Sequence, residues 1–86
     1  MRVGAPLIAP SAYKHGAEES TILHAFSNPI RSEDLEEGMV MLIGPDPAGN
    51  LYELGVVDSE QGPVVVHAMS ARRKYKPMSA RRKYLP

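Results

Sequence analysis

Residues 39–69 read MVMLIGPDPAGNLYELGVVDSEQGPVVVHAM, and they carry the strongest signal for the architecture of the chain. They contain three short apolar runs, MVMLIG, LYELGVVD and PVVVHAM, which have the composition typical of β-strands. The runs are separated by PDPAGN and SEQG, which are clusters of turn-forming residues. Because such short connections leave no room for a crossover helix, the pattern predicts an antiparallel meander of three strands.

The segment before the meander carries the clearest helix signal. The run AEESTILHAFSNP places Ile22 and Phe26 four residues apart on one helix face, and Pro29 predicts where the helix ends. Upstream, SAYKHG predicts a short helix capped by Gly16, a residue that readily takes the left-handed conformation. The next segment, RSEDLEEG, is interpreted as an acidic connection.

Together these elements predict an α+β fold. We expect an N-terminal helix or helices packed on a small antiparallel sheet of three to four strands, followed by a basic C-terminal helical segment. The chain has 86 residues, which suits one small domain. We assign residues 1–77 to a single α+β domain and residues 78–86 to a duplicated basic tail.

Composition excludes several classes of function. The chain has no cysteine, so disulfides, thiol catalysis and cysteine-ligated metals are excluded. The spacing of its three histidines matches no metal-binding pattern, and neither a metal nor a cofactor is expected. No apolar run approaches the roughly 20 residues that span a bilayer, and the N-terminus is a poor signal peptide. A cytoplasmic protein without a membrane partner is therefore predicted.

The C-terminal residues repeat a basic nonapeptide, MSARRKYKP at 69–77 and MSARRKYLP at 78–86. Residues 1–68 contain all ten acidic residues and three basic ones, whereas residues 69–86 contain seven basic residues and no acidic one. This asymmetry favours a nucleic-acid partner, an acidic protein partner, or docking of the tail onto the acidic body. A solvated charged end is the alternative. We expect the first copy to continue the third strand and the second to be an appended arm.

Five motifs occur in an order that resembles a known family. The order KHG, ILHAFSNP, LIG, LYELGVV and VVVHAMSARRKY, over roughly residues 11–77, is similar to BrnT-type toxins of type II toxin–antitoxin systems, especially short actinobacterial ones. The resemblance implies a RelE-like fold, metal-independent cleavage of RNA and neutralisation by a ribbon-helix-helix antitoxin, with a homodimer inside that complex as a further expectation. The chain lacks the Trp-Asp-Pro start of longer relatives. Ala17 and Glu18 stand where relatives have an aliphatic residue and a Ser cap, and the second MSARRKY has no counterpart.

The resemblance also implies a set of catalytic residues. Carried over by motif, these are Lys14 and His15 of KHG and Arg72 of SAR. Metal-free RNA cleavage needs a base, an acid and cations around the phosphorane. Arg72 can bind a phosphate bidentately, Lys14 offers a point charge, and His15 can exchange a proton near neutral pH. Glu53 is a candidate alternative base, or an outward-facing strand residue.

The candidate RNA-binding residues are the remaining basic residues of MSARRKY in both copies and one tyrosine: Arg73, Lys74, Tyr75, Arg81, Arg82 and Lys83. Tyr75 can stack on a base or cover the sheet edge. His24 is expected on the solvent face of its helix. His67 is left open between a packed, hydrogen-bonded position and one that opens on a sheet face. The competing interpretation is a non-catalytic module whose basic tail binds nucleic acid or an acidic partner.

Overall fold

The computed structural model describes residues 5–75. The regular elements of this part are strand β1 (Leu7–Ile8), helix α1 (Glu19–Ser27) and strands β2 (Arg31–Asp34), β3 (Met39–Pro45), β4 (Leu51–Ser59) and β5 (Gly62–Ser70). Three short 3-10 helices also occur, at Pro10–Tyr13, Glu36–Gly38 and Arg73–Tyr75. The predictions for Arg81, Arg82 and Lys83, and for the rest of the duplicated tail, lie outside the described residues.

The five strands form one sheet in the order β1-β5-β4-β3-β2. Neighbouring strands are antiparallel, except that β1 runs parallel to β5. Strands β3, β4 and β5 are the predicted meander, which is confirmed. Between β3 and β4, the Asp46 carboxylate accepts hydrogen bonds from the amides of Ala48 and Asn50, so PDPAGN forms the expected turn.

The predicted fold class is wrong in the number of helices, the number of strands and the all-antiparallel sheet. In place of N-terminal helices on three or four antiparallel strands, residues 5–75 form a five-stranded mixed sheet with a single α-helix. The short helix predicted in SAYKHG is a 3-10 helix, Pro10–Tyr13, and its C-cap is Lys14; Gly16 has a positive φ of 87° but lies beyond that cap. Of the predicted basic C-terminal helical segment, residues 5–75 contain one short 3-10 helix, Arg73–Tyr75.

Two strands account for the difference. Strand β1 has only two residues, too few for an alternating pattern to be visible. Strand β2, with the sequence RSED, was assigned to the acidic connection because every side chain is polar. It lies at the edge of the sheet and pairs only with β3, and an edge strand needs no apolar residue on either face.

Helix α1 lies where AEESTILHAFSNP predicts a helix, and it covers one face of the sheet. Its buried residues Ile22 and Ala25 join a core cluster with Leu54 and Val65 of the sheet. The helix approaches the sheet closely at Gly44, because a Cβ atom at this position would clash with the Ala25 carbonyl oxygen. The helix has nine residues, and no helix within 5–75 has the length and apolar character needed to cross a membrane.

The opposite face of the sheet is covered by the end of the described chain. Directly paired residues share a face, and the register places Ile43 beside Glu53 and Glu53 beside Met69. A second core cluster forms here from Met41, Ile43 and the C-terminal Ala71 and Tyr75. This face, which we call the open face, carries the candidate site.

Candidate functional site

Glu53 lies at the centre of a polar cluster on the open face. It is fully buried, with 0% of its surface exposed, and is the buried charged residue of the described chain. The Arg72 side chain donates from Nε and Nη2, with Nη2 2.8 Å from Oε2, and the Arg72 backbone N–H donates to Oε1 at 3.0 Å. His67 Nε2 lies 3.0 Å from Oε2. Of the two alternatives left open for Glu53, the outward-facing strand residue is therefore wrong.

The hydrogen bonds keep Glu53 ionised in spite of its burial. Burial by itself raises the pKa of the Glu53 carboxyl, but the side chain and backbone of Arg72 and the ring of His67 outweigh it and hold that pKa below the ordinary value. The hydrogen bonds that Arg72 donates to Glu53, together with the negative charge of that carboxylate, raise the pKa of Arg72. Near neutral pH the two side chains therefore form a charged, hydrogen-bonded pair.

His67 is oriented by this carboxylate. An ionised carboxylate can only accept hydrogen bonds, so the Nε2 atom of His67 must donate to Glu53. In the neutral ring the other nitrogen, Nδ1, then has no proton and is available as an acceptor. The His67 side chain is 29% exposed, so solvent reaches it. Both of the possibilities left open for His67 hold, since it is hydrogen-bonded and it opens on a sheet face.

A second imidazole lies against His67. The ring centroids of His15 and His67 are 5.7 Å apart, with the ring planes at 75°. His15 reaches this place because the 3-10 helix before it docks along β5, where Ser11 Oγ donates to the Val66 carbonyl oxygen at 2.6 Å. Lys14 is exposed next to His15, and its side chain forms no hydrogen bond or ion pair with another residue of the 5–75 range.

Arg72 joins the cluster to the basic segment. Its side chain is 50% exposed, and Glu53 engages Nε and Nη2 but not Nη1, which meets no acceptor among residues 5–75. Tyr75 is buried at 5% exposure, and its ring lies below Arg72 Cζ at 5.6 Å and Lys74 Nζ at 5.0 Å. The ring thus covers the sheet, which is one of the two roles considered for it, while Arg73 and Lys74 are exposed.

The structure brings together three of the four predicted catalytic residues, His15, Glu53 and Arg72, with Lys14 adjacent. It adds His67, which was not among the predicted site residues, and Arg31, whose Nη1 donates to the Tyr75 carbonyl oxygen at 3.4 Å. His24 is half-buried instead of lying on the solvent face, because its Nδ1 bonds the Pro45 carbonyl oxygen at 2.8 Å. Residues 5–75 contain no group of three or more His, Asp or Glu side chains able to hold a metal ion.

Comparisons of the chain with protein-family models, with curated proteins and with solved structures give no match. The resemblance to BrnT-type toxins therefore stays a prediction that rests on the order of its motifs. The strand running into SAR supplies His67 and Arg72, which bond Glu53, and KHG supplies His15, which contacts the His67 ring.

Proposed function

We propose that the protein is a metal-independent endoribonuclease that cleaves RNA by attack of a 2′-hydroxyl on the adjacent phosphate. One arrangement supports this proposal above all. Buried Glu53 holds His67 and Arg72 side by side on the open face, and a second imidazole, His15, is in contact with His67. Two imidazoles and a guanidinium supply a base, an acid and a cation for the phosphorane.

In the proposed reaction, Nδ1 of His67 takes the proton of the 2′-hydroxyl. The O2′–P bond forms, the P–O5′ bond breaks, and protonated His15 gives its proton to the leaving O5′. The products are a 2′,3′-cyclic phosphate and a 5′-hydroxyl, so atoms and protons balance without a further reactant. The exposed Nη1 group of Arg72 donates hydrogen bonds to the phosphate oxygens, and Lys14 adds a point charge beside them.

Glu53 acts in this proposal as a positioning residue. It is buried, and its two oxygens already receive hydrogen bonds from Arg72 and His67. A carboxylate in that position is a poor acceptor for a substrate proton, because its pKa is lowered and no edge faces solvent. It fixes the His67 tautomer and holds Arg72 at the same place.

The proposal is tested with a deoxyoligonucleotide that contains one ribonucleotide, incubated with the full chain in EDTA. Cleavage is expected only on the 3′ side of the ribonucleotide, leaving a 2′,3′-cyclic phosphate, because only that position has the nucleophile. The all-deoxy oligonucleotide of the same sequence is the control. Cleavage of the control, or intact RNA at saturating protein, would contradict the proposal.

For the biological role we propose the toxin of a type II toxin–antitoxin system in the bacterial cytoplasm, neutralised by a ribbon-helix-helix antitoxin. The ordered match from KHG to SAR supports this role. Expression of the wild-type chain in a bacterium should arrest growth, and His67→Ala expressed at the same soluble level should not. Equal growth of the two strains would count against the toxin role.

A second candidate function is a non-catalytic module that binds nucleic acid or an acidic partner. It is favoured by the three consecutive exposed cations Arg72, Arg73 and Lys74, which a short 3-10 helix and buried Tyr75 fix on the open face. Binding through these side chains should weaken with salt, with a slope of about −0.7 per phosphate neutralised on a single strand. Salt-dependent binding without any cleavage would favour this candidate over the ribonuclease.

A further inference from the structure

A row of apolar side chains crosses the open face beside His67. Its members are paired across neighbouring strands β3, β4, β5 and β1, and we call them the apolar row: Met39, Val57, Val64 and Leu7. Leu7 is 49% exposed, and the other three residues are half-buried. The two core clusters of residues 5–75 include none of the four. The apolar row is therefore a surface on the site's face that packs into neither core.

The apolar row adjoins His67. Val57 follows Gly55 by two residues in β4, and Gly55 pairs with His67, so the row lies about 7 Å from His67 along the strands. Gly55 has no side chain, and its neighbours fill the space above it. A Cβ atom at Gly55 would lie 3.1 Å from His67 Cβ and 3.5 Å from Met39 Sδ. The Met39 side chain therefore extends from the row towards the imidazole.

His67 lies between this apolar surface and the cations of the site. Glu53, which binds Arg72, comes two residues before Gly55 in β4, whereas the row comes two residues after it. Lys14 adds a second positive charge, and the row itself has no charged side chain. A nucleotide is divided in the same way, because its phosphate is anionic and its base presents two planar π-faces.

The size of the apolar row suits a base better than it suits a protein. The row crosses three strand spacings, about 14 Å, and is one side chain wide. A standard protein–protein interface uses roughly 20–30 residues on each side, which is far more than the row supplies. A base that lies flat on thioether and methyl groups removes apolar surface from water, and the flexible Met39 side chain adapts to its outline.

We propose that the apolar row binds the base of the nucleotide whose 2′-hydroxyl attacks, and that the substrate is single-stranded RNA. The inference rests on the proposed ribonuclease function, because the reaction at His67 defines which nucleotide lies beside the row. Inside a duplex both faces of a base are covered by its stacked neighbours. A base reaches the row only when it is unpaired and turned out of the stack.

The test uses the full chain and the oligonucleotide with one ribonucleotide, whose base is either present or replaced by hydrogen. The kcat/KM value is divided by the rate of alkaline cleavage of the same oligonucleotide, which corrects for the effect of the base on the reactivity of the 2′-hydroxyl. In the wild type, removal of the base should lower this ratio at least about fivefold, because the apolar contact is lost.

Substitutions in the row should reduce this base-removal effect. In Met39→Ser it should fall to about twofold or less, and in Val57→Thr, which is the milder change if Met39→Ser does not fold, it should be intermediate. Val40→Thr is the matched control, because Val40 is also half-buried but pairs with Val56 of the core under α1. This variant should keep the full effect.

An equal effect of base removal in the wild type and in both row variants would overturn the inference. Undiminished cleavage of the ribonucleotide inside a duplex would do so too. A row variant that changes the oligomeric state in sedimentation, with an unchanged base-removal effect, would mean that a second copy covers the row instead.

Failure of the proposed function is distinguishable from failure of the base site. If no oligonucleotide is cleaved, the same chains are compared by their affinity for an all-deoxy dinucleotide with and without its 5′ base. The single phosphate of the dinucleotide fixes the register. Loss of the base should then weaken binding to the wild type more than binding to Met39→Ser, and equal losses would overturn the inference.

Discussion

Glu53 is an unusual residue for the middle strand of a small sheet. Burying a carboxylate costs free energy unless donors replace the lost water, and removing one partner of such a pair is strongly destabilising. Here three groups replace the water: the Arg72 guanidinium, the Arg72 amide and the His67 ring. The same hydrogen bonds fix the positions of His67 and Arg72, two of the side chains to which we assign chemistry, so stability and function depend on the same contacts.

This arrangement predicts an acid-sensitive contribution to stability. The pKa of Glu53 is lowered in the folded protein, so its contribution is fully present above the ordinary glutamate pKa and is lost as the pH falls through the folded value. Glu53→Gln should lower the free energy of unfolding by about 1–3 kcal/mol near pH 7, because an amide is a weaker acceptor for these donors. The difference between wild type and variant should shrink as the pH falls below about 4.

Denaturant unfolding at several pH values measures that difference directly. Glu36→Gln, at an exposed position in the 3-10 helix after β2, is the control and should change stability little at any pH. A Glu53→Gln effect that stayed the same from neutral to acid pH would mean that the carboxylate is not charged and paired in the folded state.

At the scale of single elements, a β-bulge in the pairing of β4 with β5 determines whether the site can form. From the turn to Val56 the pairing of β4 with β5 is regular, but Val56 pairs with Val65 and Gly55 with His67, so Val66 is an extra residue. Without this bulge Glu53 would pair with Ala68, and His67 would point to the face covered by α1. A one-residue shift moves every later side chain to the other face.

The bulge explains why the sequence predicted the strands but not the pairing of Glu53 with His67. The short apolar runs and the turn clusters between them predict β3, β4 and β5, and the spacing of Ile22 and Phe26 predicts α1. Nothing in VVVHAM marks the position of an extra residue. Strands β1 and β2 were missed for another reason, since one is very short and the other is polar along its whole length.

At the scale of the whole molecule, the two faces of the sheet have different roles. Helix α1 and the 3-10 helix before it bury one face with apolar contacts, including Ala12 and Ile22. The open face is covered only in part by residues 71–75, which leaves imidazole and guanidinium groups within reach of solvent. The prediction that KHG and SAR share one site came from the resemblance to BrnT-type toxins, and the structure places His15 and Arg72 on either side of His67 and Glu53. Their distances and the role of His67 required the tertiary structure.

In the proposed reaction His67, which Glu53 holds, and His15, which contacts the His67 ring, transfer the protons of RNA cleavage. The direct test is single-turnover cleavage at saturating protein, with RNA affinity measured separately. His67→Ala and His15→Ala should each lower the cleavage rate constant by at least about 10²-fold while affinity changes little. His24 lies on helix α1 and bonds the Pro45 carbonyl oxygen, so His24→Gln is the control variant. It should cleave RNA at the wild-type rate. If both variants cleave at the wild-type rate, the cluster at Glu53 is not the catalytic site.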